Sequence, residues 1–187
     1  MSEHLWWNLS RSTAIVALVL LVLSLVWGVL LSTRALREVD RPAWLLSLHT
    51  WLSGTAIVMT VIHASALMLD QWVAFSPVDL LVPGVATWRG ATRTAEIGTA
   101  IGVVSAYVLL TIQATSLLRR RMSRRAWSLV HRLSFPLVSS VLIHAGWTGT
   151  DTSNRAYQAT AVVLAMMTVV ATVIRLITPS RTRRASA

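Results

Sequence analysis

Apolar residues in this chain do not alternate with polar ones but run in five long stretches, at about 12–32, 43–69, 95–118, 126–147 and 156–178. Each is near or above the roughly 20 residues a helix needs to cross a bilayer. The second opens after Pro42, which suits a first helical turn, and as the longest it should tilt or protrude. Pro136 lies inside the fourth and Pro179 closes the fifth. The link at about 70–94 is the one substantial loop. It holds Trp72, Phe75, Pro77, Pro83, Trp88 and the short apolar run Val78–Val82. It reads as an interfacial or re-entrant cap, not a sixth span.

Composition agrees. Of 187 residues 55% are hydrophobic and 13% charged, about half the charged share of soluble domains. Mean hydropathy is +0.63. The expected fold class is an all-α integral membrane protein, a bundle of five transmembrane helices. It would be one domain over 1–187, with a short outer leader at 1–11 and a basic tail at 179–187. The first run, about 21 residues, is longer than a typical signal-peptide core and reads as a span. There is no cysteine, so disulfides and thiolate ligation are excluded.

Charge then sets the expected topology. All 17 basic residues are arginine and the net charge is +10. Nucleic acid is a poor explanation, because the arginines lie where spans end. Arg34, Arg37 and Arg41 follow the first span; Arg119, Arg120, Arg121, Arg124 and Arg125 link the third to the fourth; Arg175, Arg181, Arg183 and Arg184 close the chain. The other side holds Arg11, Arg89, Arg93 and Arg155. The positive-inside rule puts the amino terminus outside and the carboxyl terminus in the cytoplasm of a multi-pass plasma-membrane protein. An arginine-rich inner face would also attract anionic lipid.

Four histidines inside these spans carry the chemistry. His49 and His63 are 14 residues apart on the second span; His131 and His144 are 13 apart on the fourth. Those separations are roughly 20 Å of helix. The two helices run in the same direction, so His49 pairs with His131 near the inner side and His63 with His144 near the outer side. Ionisable groups in a membrane are costly and usually functional. No acidic ladder accompanies them as a proton relay would require, and histidines so far apart cannot share one zinc ion. Neutral imidazole is a good axial ligand for haem iron. The residues read as two bis-histidine haems between the second and fourth helices; the alternatives are a haem membrane subunit that anchors a soluble oxidoreductase and a haemless scaffold or transporter of the same fold.

One spacing is awkward. Fourteen residues is about 3.9 turns, which keeps His49 and His63 on one face, whereas 13 is about 3.6 turns. A kink at Pro136 is expected to turn His144 back toward its partner. Ser53, Gly54, Ser139 and Ser140 are small residues one turn from ligands, suited to a flat macrocycle or to ordinary tight packing. Gly98 and Gly102 form a generic GxxxG packing device. Arg132 could bind a haem propionate or snorkel to the surface. Glu96 suits a helix start. Trp6, Trp7, Trp44, Trp72, Trp88 and Trp147 read as an aromatic belt, Trp147 also as a wall of the outer haem. His4 is not expected to be a ligand. Asp70 and Asp151 could shape an outer surface.

The strings "LHTWLSGTAIVMTVIHASALMLD", "FSPVDLLVPG" and "RRAWSLVHRLSFPLVSSVLIHAGWTGTDT" resemble the two ligand helices, and the loop between them, of the ferric reductase-like transmembrane domain. That superfamily includes ferric reductases, NADPH oxidases and the haem subunit of bacterial methionine sulfoxide reductase. The resemblance covers about 43–178 and implies b-type haems and electron transfer across the membrane. Complete reductases of this kind carry a flavin and nicotinamide domain, yet no nucleotide-binding glycine motif occurs in these residues. FAD or FMN is therefore expected only on a partner flavoprotein, with quinol as another donor. Ferric iron or a partner oxidoreductase would be the acceptor, and the chain itself an electron-transfer component.

Overall fold

The computed structural model describes residues 4–33 and 43–178. Arg34, Arg37, Arg41, Pro42, residues 1–3 of the expected leader and the basic tail 179–187 lie outside the described residues. Among the described residues seven α-helices follow one another: α1 Leu5–Ser32, α2 Ala43–Leu69, α3 Pro77–Leu81, α4 Arg93–Leu117, α5 Arg124–His131, α6 Ser134–Thr148 and α7 Arg155–Ile177. Among the described residues there is no strand. Five segments are long and apolar enough to cross a membrane: α1, α2, α4, α5 with α6, and α7. The protein is an all-helical bundle built as a multi-pass membrane protein would be. Leu110, Val162, Met166 and Val169 are each more than half exposed, an outward apolar surface that soluble monomers rarely carry.

Side-chain caps set several helix starts. Thr92 accepts from the Ala95 amide at 3.2 Å, Ser123 from the Ala126 amide at 3.2 Å, and Asn154 from Ala156 and Tyr157 at 2.8 and 3.2 Å. Each satisfies amide donors that the first turn leaves without a partner.

α1 begins at Leu5, seven residues before the apolar run, so most of the expected leader is helix. The reason is tertiary. Ser10 is 1% exposed and bonded to α2, and Arg11 is ion-paired with Asp151. Both polar residues are satisfied within the bundle.

α1 is the central element. It packs along α2 and also meets α6 and α7, while α4 packs along α6. One core joins Leu18, Leu21, Val22 and Leu25 of α1 to Ala56 of α2, Leu109 and Ile112 of α4, Leu137 and Val138 of α6, and Leu164 of α7. Lipid offers apolar side chains little reason to leave it, so close packing and polar links hold such a bundle. One link is the 2.7 Å hydroxyl bond between Ser105 and Ser140, worth roughly 0.6 kcal/mol on average for its type.

The fourth span is two helices. His131 ends α5, Arg132 and Leu133 make a turn, and α6 restarts at Ser134. Pro136 has no N–H for the Arg132 carbonyl, which instead accepts from Phe135 at 3.3 Å. Leu133 likewise donates to Val130 at 2.9 Å. These three-residue bonds wind the chain more tightly than an α-helix. The extra winding and the fresh axis of α6 bring His144 round to face α2.

The 70–92 loop returns over the end where α1 begins. Val73, Phe75 and Ala86 form a small second core with Trp7, Leu67, Leu80 and Trp88 around it. Asp70 is buried and accepts from the Trp72 and Val73 amides at 2.9 and 3.1 Å, a structural role, not a surface one. The short α3 is tied to α4 where the Tyr107 hydroxyl donates to the Leu81 carbonyl at 2.6 Å.

Candidate functional site

α2 barely touches α6, and the histidines face one another across the gap. The ring centres of His49 and His131 are 6.2 Å apart at an interplanar angle of 71°. Those of His63 and His144 are 6.4 Å apart at 73°. The sequence pairing is the pairing in space. The rings are too far apart for a direct N–H···N bond, which would put the centres about 5.2 Å apart. A metal bonded to one nitrogen of each ring at about 2.0–2.1 Å, with the ring centre about 1.2 Å behind each nitrogen, puts them about 6.4 Å apart.

Hydrogen bonds fix which nitrogen is free. Nδ1 of His49 lies 3.1 Å from the Ser24 carbonyl and 3.2 Å from its hydroxyl. Nδ1 of His63 lies 2.9 Å from both the carbonyl and the hydroxyl of Ser10. Nδ1 of His144 lies 2.8 Å from the Gly98 carbonyl. A carbonyl only accepts, so all three Nδ1 atoms carry the proton and Nε2 keeps its lone pair. Metal-ligating histidines are held in this way. His131 differs. Its Nδ1 is buried without a partner among the described residues, and its ring stacks on Trp127 at 4.9 Å and 20°. Trp127 Nε1 is likewise buried with no partner among those residues, and the Arg119 guanidinium lies 5.4 Å over the Trp127 ring.

Space is made for the rings by missing side chains. A Cβ on Gly102 would lie 2.6 Å from Cε1 and Nδ1 of His144, and one on Gly28 would lie 3.3 Å from Cε1 of His49. The GxxxG of α4 is therefore a seat for His144: Gly102 gives room and Gly98 gives the carbonyl. A cavity of about 830 Å³ is lined by His63 and His144 together with Trp7, Ser10, Trp88 and Trp147. Gly54 has open space where a Cβ would stand. Ser53 and Ser139 bond back to carbonyls of their own helices.

Arg132 is exposed at the helix break, with Nε donating to the Ser128 carbonyl at 3.1 Å. Asp151 is paired with Arg11 across the α1 and α6–α7 ends. Glu96 sits in the first turn of α4, 3.3 Å from Arg93. His4 is exposed, ahead of α1. Among the described residues no three His, Cys, Asp or Glu side chains cluster to hold an ion; the histidines come only in twos.

Sequence reasoning missed Ser10, Ser24 and Gly28, and read Gly102 only as part of a generic packing motif. A signal existed: Ser10 and Ser24 repeat on the first span the 14-residue interval of the histidines on the second.

The fold and the site thus define a multi-pass helical bundle with two facing histidine pairs. Residues 5–151 match the family described as Domain of unknown function (DUF8596), and the chain belongs to that family. No curated protein and no solved structure matches it.

Proposed function

We propose that the chain is a di-haem b-type membrane cytochrome that carries electrons across the bilayer. The observation that carries this reading is the geometry of the histidine pairs. Both spacings fit a metal between two imidazoles, and three of the four rings present an unprotonated Nε2 while Nδ1–H is held by a carbonyl. Two protein donors per site suit haem iron, whose macrocycle supplies the remaining ring nitrogens, better than a closed four-ligand zinc site. Haem would supply one-electron redox chemistry at each pair.

The protein's own part is ligation, spacing and exclusion of water. His49 and His131 would hold the inner group, His63 and His144 the outer, and Arg132 would hold an inner carboxylate. The arginine distribution supports this orientation, with the amino terminus outside. Fourteen residues of α2 set the pairs roughly 21 Å apart along the helix. A separate flavoprotein or quinol is the proposed donor at the inner face. The outer acceptor is ferric iron or a partner oxidoreductase, and the string resemblance to ferric reductase-like domains supports that class.

The test is haem per chain on detergent-purified protein, by pyridine haemochrome and reduced-minus-oxidised spectra. Two low-spin b-type haems are expected, and His63→Ala should lose one while the bundle still inserts. No haem after expression with haem supplied would refute the reading and leave a membrane scaffold.

A further inference from the structure

The four imidazoles are not equally supported, and the difference runs along the membrane normal. At the outer pair both Nδ1–H groups meet carbonyls at short range, Ser10 at 2.9 Å and Gly98 at 2.8 Å. Ser10 does more than accept. Its hydroxyl lies 2.9 Å from Nδ1 of His63 and donates to the backbone carbonyl of the same histidine at 3.3 Å. That clamps side chain and backbone of one residue together. At the inner pair His49 has the longer bond to Ser24, 3.1 Å, and His131 has no acceptor among the described residues.

We propose that Ser10 and Ser24 of α1 are positioning residues for the α2 histidines, and that the unequal supply of acceptors makes the outer pair the site of lower reduction potential. The inference rests on the haem reading above. A hydrogen bond from Nδ1–H raises the basicity of the ligating Nε2, and a more basic ligand favours oxidised iron. Bonds around the ligands and nearby charge are levers by which a protein sets such potentials. Charge acts in the same direction here. Arg119 lies over Trp127, which stacks on His131; Arg124 and Arg125 begin the same short helix and Arg132 caps its end. Positive charge there favours the reduced state of the inner site. At the outer end Arg11 is neutralised by Asp151. Electrons therefore gather at the inner pair and cross to the outer face when an acceptor draws them.

The experiment is an equilibrium redox titration, followed by absorbance, on protein whose haem content has been measured first. Two one-electron steps are expected, at least tenfold apart in equilibrium constant, or 59 mV. Ser10→Ala should raise the lower step alone, by at least about threefold in that constant; Ser24→Ala should raise the upper step alone. Ser10→Thr, which keeps the hydroxyl, should return the lower step to its original value. Should Ser10→Ala not assemble, His63→Ala, holding the inner site alone, should titrate at the upper value. Coincident steps, a shift of the wrong step, or a lone inner site at the lower value would each overturn the proposal while leaving the haem reading intact. Absence of haem would instead overturn the reading on which it rests.

Discussion

Gly102→Ala isolates the role of close approach at the outer pair. The added Cβ would stand 2.6 Å from both Cε1 and Nδ1 of His144. Ordinary contact begins at 3.4 Å, so ring and helix must separate by at least about 0.8 Å, the difference of those two distances. The ring is held to the same helix by the 2.8 Å bond to the Gly98 carbonyl and cannot retreat without losing it. Metal sites tolerate about 0.2 Å in ligand distance, several times less than the shift required. Overpacking of this kind costs about 1–3 kcal/mol. Helix propensity alone predicts the opposite sign, since alanine is favoured over glycine by about 1 kcal/mol in a helix interior. The expected outcome is a protein that inserts, keeps the inner haem, loses the outer one and melts earlier. Haemochrome content and a thermal melt in detergent measure both effects. Gly28→Ala is the matched control, because its Cβ would stand 3.3 Å from His49 and a few tenths of an ångström relieve it. Two haems and an unshifted spectrum in Gly102→Ala would refute the reasoning.

Two further outcomes follow from other parts of the fold. Pro136→Ala returns a backbone donor to the Arg132 carbonyl, so α5 and α6 should fuse into one helix and swing His144 off its partner. Higher helicity by circular dichroism with loss of the outer haem is expected, and retention of both haems would mean that packing, not the proline, sets the break. The Asp79 carboxyl is held below its usual range by the Ser76 hydroxyl, then by the Ser76 amide, in the capping box of α3. A depressed folded-state value stabilises α3 above the unfolded pKa of about 3.9 and is lost as pH falls through the folded one. Protease cleavage within the 70–92 loop should rise below about pH 4 in the wild type, whereas Asp79→Asn should already be cleaved at neutral pH.

The spans were legible because lipid removes water from the backbone and leaves a long apolar helix as the simplest solution. Hydropathy alone therefore marked five segments long and apolar enough to cross, and helical rise gave the pairing of His49 with His131 and His63 with His144. The direction of the misfit at His144 was also legible, since 13 residues do not close on one face and Pro136 lies between. Where the chain breaks was not. The break falls at Arg132 and Leu133, one turn before the proline, because that is where the missing donor is felt.

What tertiary structure alone decided was which neighbours the histidines have. Nothing in the string SRS around Ser10, or in Gly98, announces a carbonyl that accepts from an imidazole on another helix. A backbone acceptor carries no side-chain signature, and the bond depends on how two helices are set against each other in depth and rotation. The same holds for α1. Its apolar run fixed it as a span, but only packing put it at the centre, with Ser10 and Ser24 at the depths of His63 and His49. Sequence fixed the depth of each histidine through the helical rise. The tautomers, the room for the rings and the inequality of the two pairs were fixed by contacts between residues far apart in the chain.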